Sequence, residues 1–291
     1  MAKQVKLGNR LVGKGQPTYI VAEIGINHNG DLEIAKKMIR AASESGVNAV
    51  KFQKRTPEIC VPVAEQTKMR DTPWGYMTYL DYRRRVEFGE KEYQEIDALC
   101  KELGIDWFAS VWDEDSIDFL EGFNPIAYKI PSAALTDHEM IKKLISIGRP
   151  MILSTGMSTM EQIRGTIALF EGCDNLIITH TTSTYPCDPE ELNLMMIPKL
   201  IEEFDFPIGY SGHEVGLIPS VVSVALGACL VERHLTLDRA MWGTDQAASV
   251  EPVGMARLVK YIRVTEKSLG DGVKRVYDKE LPILAKLRRV K

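Results

Sequence analysis

The chain is 291 residues long, 45% hydrophobic and 26% charged, and its 36 Lys and Arg against 40 Asp and Glu leave a formal net charge of −4. This apolar content excludes a disordered chain, while 22 Gly and 5 Cys exclude collagen-like and disulfide-rich classes. The slightly acidic balance disfavours sequence-wide nucleic-acid binding, so an anionic ligand would need local positive charge.

Eight short runs rich in Val, Ile, Tyr and Phe alternate with longer segments whose apolar residues recur at helical spacing. The first helix is predicted to begin after Asp31 and end near Gly46, and a capping box of Ser158 and Glu161 is predicted to begin the fifth. Eight strand–helix units predict an α/β fold, a (β/α)8 TIM barrel that forms one domain over residues 1–291. The predicted strands cover residues 19–24, 49–53, 106–111, 126–130, 150–154, 176–181, 206–211 and 229–235.

Two segments lie outside this repeat. Residues 5–16, approximately, predict an N-terminal β-hairpin that turns at Gly8 and Asn9 and covers the bottom of the barrel. Residues 54–90, approximately, form a long loop after the second strand, and connections of this length are usually lids or binding loops. The run Arg83-Arg84-Arg85 within this insertion is predicted to be a solvated or interface surface that could also rim a site.

Nearly every predicted strand ends in polar residues, and barrel folds carry their chemistry at the C-terminal ends of the strands. Lys51 and Lys129 are predicted to point into one mouth, which favours a bound phosphate or carboxylate over purely structural pairing. His213 and His234 follow neighbouring strands. This pattern predicts equally well a divalent metal site or two histidines buried in the core. The other polar residues of this mouth are Glu23, Gln53, Ser132, Ser154, Ser183, Tyr185, Ser211, Glu232 and Asp245.

These motifs, taken together, resemble those of the sialic acid synthases. The resemblance implies a TIM-barrel enzyme that condenses phosphoenolpyruvate with an unphosphorylated or phosphorylated aldose, typically N-acetylmannosamine or a relative, to give a 3-deoxy-2-keto sugar acid and phosphate. The matching segments, in chain order from about residue 5 to 268, include EIGINHNG from Glu23, VKFQ from Val50, KIPS from Lys129, LSTGM from Leu153, STYP from Ser183, GYSGH from Gly209, ERHLTL from Glu232 and GTD from Gly243.

The same resemblance implies a role for each residue of the mouth. His213 and His234 would bind a divalent metal, Mn²⁺ or Mg²⁺. The residues expected to take part in catalysis are Glu23, Lys51, Lys129 and Glu232. Those expected to bind phosphoenolpyruvate are Lys51, Lys129, Ser132, Ser154, Ser183 and Ser211. Those expected to contact the sugar are Glu23, Gln53, Tyr185 and Asp245.

Three features depart from the family pattern. First, the chain stops soon after the eighth predicted helix, where well-studied members carry an antifreeze-like domain. Second, Ala134 occupies a position at which many members have an acidic residue. Third, Thr244 replaces the proline of a Gly-Pro-Asp motif. The phosphoenolpyruvate and metal positions match the family while sugar-facing positions differ, so we expect the condensation to be retained with an altered aldose. Part of the altered sugar wall is expected to come from Trp74, Tyr76, Tyr79, Tyr82 and Arg83.

Two other functions remain open from the sequence. One is a class I aldolase or lyase in which Lys129 or Lys51 forms a Schiff base. The other is a non-catalytic barrel that binds a sugar phosphate.

The sequence also predicts a cytoplasmic protein with no membrane partner. Its five cysteines are scattered and form no CxxC pair, and it has neither the apolar core of a signal peptide nor an apolar run long enough to span a bilayer. The family resemblance also implies a homodimer or higher homo-oligomer.

Overall fold

The structure is a computed structural model that describes residues 3–290, and eight parallel strands within that range close into a barrel. The strands are β1 (Gln4–Leu7), β2 (Arg10–Gly13), β3 (Tyr19–Gly25), β4 (Ala49–Lys54), β5 (Met69–Thr72), β6 (Gly75–Thr78), β7 (Asp106–Val111), β8 (Tyr128–Ile130), β9 (Met151–Ser154), β10 (Leu176–Thr181), β11 (Ile208–Gly212) and β12 (Leu230–His234). The barrel consists of β3, β4 and β7 to β12 in chain order, and β12 pairs with β3 to close it. The predicted TIM barrel and all eight of its strands are confirmed.

A helix follows each barrel strand. The helices are α1 (Leu32–Ser45), α2 (Pro57–Cys60), α3 (Val63–Gln66), α4 (Tyr79–Val86), α5 (Glu90–Leu103), α6 (Glu114–Glu121), α7 (His138–Ile147), α8 (Met160–Ile167), α9 (Met196–Glu203), α10 (Ile218–Ala225), α11 (Pro252–Leu269) and α12 (Leu281–Leu287). As predicted, the Asp31 side chain accepts hydrogen bonds from two backbone N–H groups at the start of α1, and Gly46 ends that helix with φ of 79°. Across residues 3–290, each helix is too short or too polar to cross a membrane.

The predicted cap of α8 is wrong by one residue. Thr159, rather than Ser158, is the N-cap, and its hydroxyl accepts a hydrogen bond from the backbone N–H of Gln162. Gln162, rather than Glu161, completes the capping box by accepting from the Thr159 backbone N–H at 2.9 Å. The Ser158 hydroxyl instead donates to the Gly156 carbonyl at 3.1 Å, inside the turn that leaves β9.

The bottom of the barrel is closed and apolar, as the sequence predicts. The β1–β2 hairpin buries Val5, Leu7 and Val12 against the inward-facing residues at the N-terminal ends of the strands. Towards the C-terminal ends the inward-facing positions become polar: Phe108 is followed two residues later by Ser110 on β7. Because side chains alternate along a strand, the hydrophobic interior turns into a polar mouth at one end only.

The insertion after β4 is more ordered than the predicted loop. It folds into α2, α3, the antiparallel β5–β6 hairpin and α4. Its apolar contact with the barrel is a small cluster of Ile26, Tyr82 and Val86, with Trp74 and Trp242 packed against it. The insertion therefore lies over the loops that follow β3 and β12, the first and last strands of the barrel.

Candidate active site

A cavity of about 190 Å³ opens at the C-terminal end of the barrel and collects residues from all eight strands or the loops after them. Of the residues to which the family resemblance assigns a role, Asp245 alone is absent from this lining, and its carboxylate lies 3.8 Å from the His234 ring. The predicted residues that line the cavity are Glu23, Lys51, Gln53, Lys129, Ser132, Ser154, Ser183, Tyr185, Ser211, His213, Glu232 and His234.

Two carboxylates and two lysines meet on the floor of this cavity. Lys51 Nζ lies 3.0 Å from Glu23 Oε2 and 3.5 Å from Glu232 Oε1. Lys129 Nζ lies 3.3 Å from the other oxygen of Glu232. We expected the anion between the two lysines to be a ligand, but the protein supplies one itself, because Glu232 bridges both ammonium groups. The lysines are thus paired in the protein as well as placed for an anion.

The protonation of these groups follows from burial and mutual charge. Burial lowers the pKa of Lys129 to about 8, although Glu232 opposes the shift. Burial also raises the pKa of Glu23, against the opposing charge of Lys51. Burial also acts to raise the pKa of Glu232, but the positive charges of Lys129 and Lys51 outweigh the effect of burial and lower this pKa. At neutral pH both lysines and Glu232 are charged, and the floor carries a net positive charge for an anionic substrate whenever Glu23 holds its proton.

Hydroxyl groups form the side of the cavity nearest β8, β9 and β10. The Gly156 backbone N–H donates to Ser132 Oγ at 3.1 Å. A methyl group at Gly156 would lie 2.2 Å from Ser183 Oγ and 2.7 Å from Ser132 Oγ, so only glycine lets these two serines approach the turn. Ser154 Oγ is 3.1 Å from Thr179 Oγ1, which also accepts from Lys129 Nζ at 3.3 Å. Ser132, Ser154, Ser183 and the Lys129 ammonium group therefore line one part of the cavity, and this set of donors suits a bound oxyanion.

Glu23 and Gln53 occupy the opposite side of the cavity. Gln53 Nε2 donates to Glu23 Oε1 at 3.0 Å. The pairing of β3 with β4 shifts register between Glu23 and Gly25, and Gly25 takes a φ of 55°. A side chain at Gly25 would approach Glu23 Oε1 to 3.1 Å and Gln53 Nε2 to 3.2 Å. The irregularity at the end of β3 therefore makes room for this carboxylate–amide pair.

His213 and His234 lie side by side, with ring centroids 5.4 Å apart. Burial lowers the pKa of each to about 3, so both imidazoles are neutral and can offer a lone pair. His213 Nδ1 contacts the Thr182 carbonyl at 2.6 Å, which leaves Nε2 for a ligand. His234 Nδ1 is buried without a hydrogen-bond partner among residues 3–290. Within the same range no three His, Cys, Asp or Glu side chains are grouped to hold a metal ion.

A buried ion pair supports the histidine-bearing segment from behind. Arg233 Nη1 lies 2.8 Å from Glu214 Oε1, and each of the two side chains is 1% exposed. The same nitrogen donates to Ser220 Oγ at 2.9 Å, and the Tyr210 hydroxyl donates to Glu214 Oε2 at 2.9 Å. Because Glu214 directly follows His213, this network fixes the backbone that carries the imidazole.

The insertion does not supply the wall of the cavity that we expected. No residue of 54–90 lines the cavity, and Tyr76 is 66% exposed. The rings of Trp74 and Tyr82 instead pack against Trp242 in the loop after β12. Arg83, predicted with Arg84 and Arg85 to be a solvated or interface surface that could rim the site, is instead buried on the inner face of α4 and does not line the cavity.

Six residues that line the cavity were not predicted as site residues from the sequence. They are Ser110, Trp112, Pro131, Ala133, Met157 and Thr181. Ser110 accepts a 2.7 Å hydrogen bond from Lys51 Nζ. Period-two alternation along the predicted strand 106–111 places Ser110 on the inward face with Phe108, so that signal was present in the sequence. Trp112 and Met157 lie in loops, where periodicity carries no such signal.

The model of the NeuB family matches residues 38–274. The chain belongs to the NeuB family. The resemblance to sialic acid synthases stated from the motifs is thus confirmed.

Individual relatives match the chain over nearly all of its length. It is 39% identical to the N-acetylneuraminate-9-phosphate synthase of Homo sapiens over 96% of this chain and 78% of that protein. It is 36% identical to the N,N'-diacetyllegionaminic acid synthase of Legionella pneumophila over 95% of this chain and 80% of that one. The crystal structure of an N-acetylneuraminic acid synthetase from Leptospira borgpetersenii superposes with a TM-score of 0.88 at 30% identity, covering 100% of this chain and 99% of that chain.

Proposed function

We propose that this NeuB-family protein is a metal-dependent synthase that condenses phosphoenolpyruvate with an aldose to give a 3-deoxy-2-keto sugar acid and phosphate. The observation that carries the proposal is the pair of buried lysines, Lys51 and Lys129, which share Glu232 on the floor of one hydroxyl-lined cavity. Such a floor suits a small, highly charged anion, and the named activities of the relatives supply the matching reaction class.

The phosphoenolpyruvate site in this proposal consists of the two lysines and the serine side of the cavity. Lys129, with its neighbouring Thr179, faces the same space as the serines gathered around Gly156. Charge-assisted hydrogen bonds from lysine to phosphate or carboxylate are short and strong, and several together hold the substrate in one orientation. The serines assigned to this substrate are Ser132, Ser154, Ser183 and Ser211.

His213 and His234 are proposed to hold Mn²⁺ or Mg²⁺. Their fit rests on two neutral, adjacent imidazoles and on the buried, unpaired Nδ1 of His234 within the described range of the chain. Two protein ligands leave the remaining coordination positions open to substrate and water. A divalent ion there supplies Lewis-acid polarisation of the aldehyde oxygen.

The sugar is proposed to lie against Glu23, Gln53, Tyr185 and Asp245. Burial raises the pKa of Glu23, so this carboxyl group can hold a proton near neutral pH and release it within the reaction. Glu232 has a lowered pKa and stays ionised, so its proposed part is to keep Lys51 and Lys129 charged and in place. Glu23 is therefore the group we assign to proton transfer.

The proposed reaction forms one carbon–carbon bond and replaces the bond between C2 and the phosphate oxygen by a bond between C2 and the oxygen of water. C3 of phosphoenolpyruvate attacks the aldehyde carbon, and Glu23 gives its proton to the aldehyde oxygen. Water adds to C2 and returns a proton to Glu23, and the tetrahedral intermediate expels phosphate as the keto group forms. Binding both substrates in line in the cavity removes much of the entropic barrier to the first step.

A panel of C4–C6 aldoses, each incubated with phosphoenolpyruvate and Mn²⁺, tests this function through aldose-dependent release of phosphate. We propose that the preferred aldose differs from N-acetylmannosamine, because Ala134 and Thr244 depart from the family pattern. If N-acetylmannosamine is consumed as fast as any other aldose, the altered substrate is wrong. If no aldose stimulates release, the synthase assignment is wrong, and binding without chelator-sensitive turnover would favour a non-catalytic barrel.

The second candidate function is a class I aldolase. It is favoured by the burial of Lys129, which lowers the pKa of this side chain to about 8 and so towards the range of a nucleophilic lysine. Borohydride added in the presence of pyruvate discriminates the two functions. A stable adduct on Lys129 or Lys51 supports the aldolase, whereas phosphate release without an adduct supports the synthase.

A further inference from the structure

Arg55 is a buried arginine that stands directly behind the sugar side of the cavity. Its side chain is 9% exposed, and the residue immediately follows β4. The guanidinium group lies 4.0 Å from the centroid of the Trp112 ring, and its Nη2 donates to Gln53 Oε1. Gln53 and Trp112 both line the cavity, whereas Arg55 does not. Arg55 can therefore act on a substrate only through these two neighbours.

The base of the insertion after β4 fixes the position of Arg55. Its Nε lies 3.2 Å from Glu87 Oε1, and its backbone N–H donates to Glu87 Oε2 at 3.3 Å. The next residue, Thr56, donates to the Asp113 carboxylate through its backbone N–H at 2.7 Å and through its hydroxyl at 3.0 Å. Asp113 directly follows Trp112, so these contacts hold Arg55 and the Trp112 ring in one fixed arrangement.

The side chain of Arg55 can only donate hydrogen bonds. Burial lowers its pKa to about 10, which still leaves the guanidinium group charged at neutral pH. Because arginine has no acceptor atom, the amide oxygen of Gln53, and not the amide nitrogen, must face Arg55. The amide nitrogen then faces the other way and donates to Glu23 Oε1 at 3.0 Å. Arg55 thus decides which end of the Gln53 amide points at Glu23.

The orientation of the Gln53 amide determines what this side of the cavity offers a substrate. The amide nitrogen carries two hydrogens, and within residues 3–290 it has Glu23 as its one acceptor. Its second hydrogen is left for a ligand. A reversed amide would present its oxygen to Glu23 instead, an arrangement that suits only the protonated carboxyl group. With Arg55 in place, Gln53 is a hydrogen-bond donor towards the cavity.

A purely structural role for Arg55 does not account for this geometry. A buried ion pair such as that of Arg55 with Glu87 often adds no net stability, because desolvation of both charges offsets their attraction. Lys54 also lies 3.8 Å from the Glu87 carboxylate, so neutralisation of this carboxylate does not depend on Arg55 alone. The contact that Arg55 alone supplies is the one with the Gln53 amide oxygen.

We infer that Arg55 is a positioning residue that orients the Gln53 amide as a donor towards the aldose. The inference rests on the proposed synthase function and deepens it. It connects the insertion after β4 to the sugar side of the cavity, although no residue of the insertion lines that cavity. Loss of Arg55 should weaken use of the aldose and leave phosphoenolpyruvate unaffected, because phosphoenolpyruvate is assigned to the lysines and the serine side.

The kinetic test is a double-mutant cycle of Arg55→Met and Gln53→Leu, in which phosphate release is measured with the fastest aldose of the panel. Arg55→Met should lower kcat/KM for the aldose at least about tenfold, as loss of a charged hydrogen bond implies, with KM for phosphoenolpyruvate unchanged. In the Gln53→Leu background the same change should lower it no more than about twofold. Arg55→Lys keeps a charged donor, so it should recover part of the loss, and it completes the same cycle if Arg55→Met does not fold. Arg84→Met, the matched control, removes a half-exposed arginine paired with Glu58 and Asp81 and should change neither constant.

A second measurement requires no substrate. Nuclear magnetic resonance of protein labelled with ¹⁵N in its glutamine side chains gives the rate at which the Gln53 amide hydrogens exchange with water, and the Gln53 signals are assigned by their loss in Gln53→Leu. We expect this exchange to be at least about tenfold faster in Arg55→Met than in wild type, because the freed amide rotates away from Glu23. The exchange rate in Arg84→Met should equal that of wild type.

Additive effects in the cycle, or an equal rise of KM for both substrates, would overturn the inference, because a merely structural role has those effects. An exchange rate in Arg55→Met equal to that of wild type would also overturn it. Absence of aldose-dependent phosphate release in wild type refutes the synthase function instead, and the exchange measurement then decides alone whether Arg55 orients Gln53.

Discussion

Replacing Lys129 by methionine tests the proposed anion site most specifically. The Lys129 side chain is 2% exposed, and its ammonium group lies 3.3 Å from both Glu232 Oε2 and Thr179 Oγ1. Methionine retains most of the unbranched apolar stem, so the change removes the charge while leaving the packing of β8 largely intact. Lys51 remains as the partner of Glu232, at 3.5 Å.

The size of the effect follows from the bonds that are lost. A hydrogen bond to a charged group contributes about 1.5–3 kcal/mol, and 1.4 kcal/mol corresponds to a factor of ten. We therefore expect KM for phosphoenolpyruvate to rise about 10- to 150-fold in Lys129→Met. Burial places the pKa of Lys129 at about 8, so the wild-type side chain loses its positive charge as the pH rises through that value. In wild type, kcat/KM for phosphoenolpyruvate should fall above about pH 8 as Lys129 loses its proton. In Lys129→Met this contribution to the decrease should be absent.

Steady-state rates at saturating aldose, measured from pH 6 to 10, provide the assay. The control is Lys142→Met, which removes an exposed lysine paired with Glu139 on α7 and should change neither KM nor its pH dependence. An unchanged KM for phosphoenolpyruvate in a folded Lys129→Met protein would refute the anion site. Complete loss of turnover with an unchanged Kd for phosphoenolpyruvate would instead favour the Schiff-base mechanism.

Three further predictions concern the groups around this site. His213→Ala and His234→Ala should each abolish Mn²⁺-dependent turnover and weaken Mn²⁺ binding, measured from the electron paramagnetic resonance of free Mn²⁺, with an unchanged circular dichroism spectrum; near-normal activity in either would remove the metal assignment. Glu214→Gln should lower the free energy of unfolding in urea by about 3–5 kcal/mol, because it leaves the charge of Arg233 buried and unpaired; a change under about 1 kcal/mol would contradict this. Burial raises the pKa of Glu23 above its ordinary 4.5, so the folded state binds the Glu23 proton more tightly than the unfolded state does. This tighter binding stabilises the folded state at low pH, and the stabilisation is lost as the pH rises from about 4.5 through the raised pKa. Glu23→Gln should therefore show a smaller fall of unfolding free energy over that range, and an equal fall would disprove the shift.

The barrel could be predicted from the sequence because the spacing of apolar residues in its strands and in its helices is a local property of the sequence. Each strand alternates with a helix whose apolar face and glycine end are readable without tertiary information, as at Gly46 and Gly104. The polar mouth followed from the same alternation, since Lys51 with Gln53 and Glu232 with His234 are two residues apart. A one-residue error at the α8 cap arose because Ser158 and Thr159 are equally good capping residues in sequence.

The remaining features depend on contacts between distant segments. Glu232 and Lys129 are 103 residues apart, and only closure of the barrel places that carboxylate between the two lysines. The burial of Arg83 likewise depends on how α4 packs over the loops after β3 and β12, and a run of three arginines reads as a solvated surface until that packing is known. The expected homo-oligomer stays a prediction.

The central claim, carbon–carbon bond formation from phosphoenolpyruvate, is tested most directly with uniformly ¹³C-labelled phosphoenolpyruvate and mass spectrometry of the product. The aldose used is the fastest of the panel, and the reaction contains Mn²⁺. The account predicts a sugar acid that contains all the carbons of the aldose plus three labelled carbons, formed in equal amount with phosphate. Labelled pyruvate appearing with phosphate, and no labelled sugar acid, would contradict it.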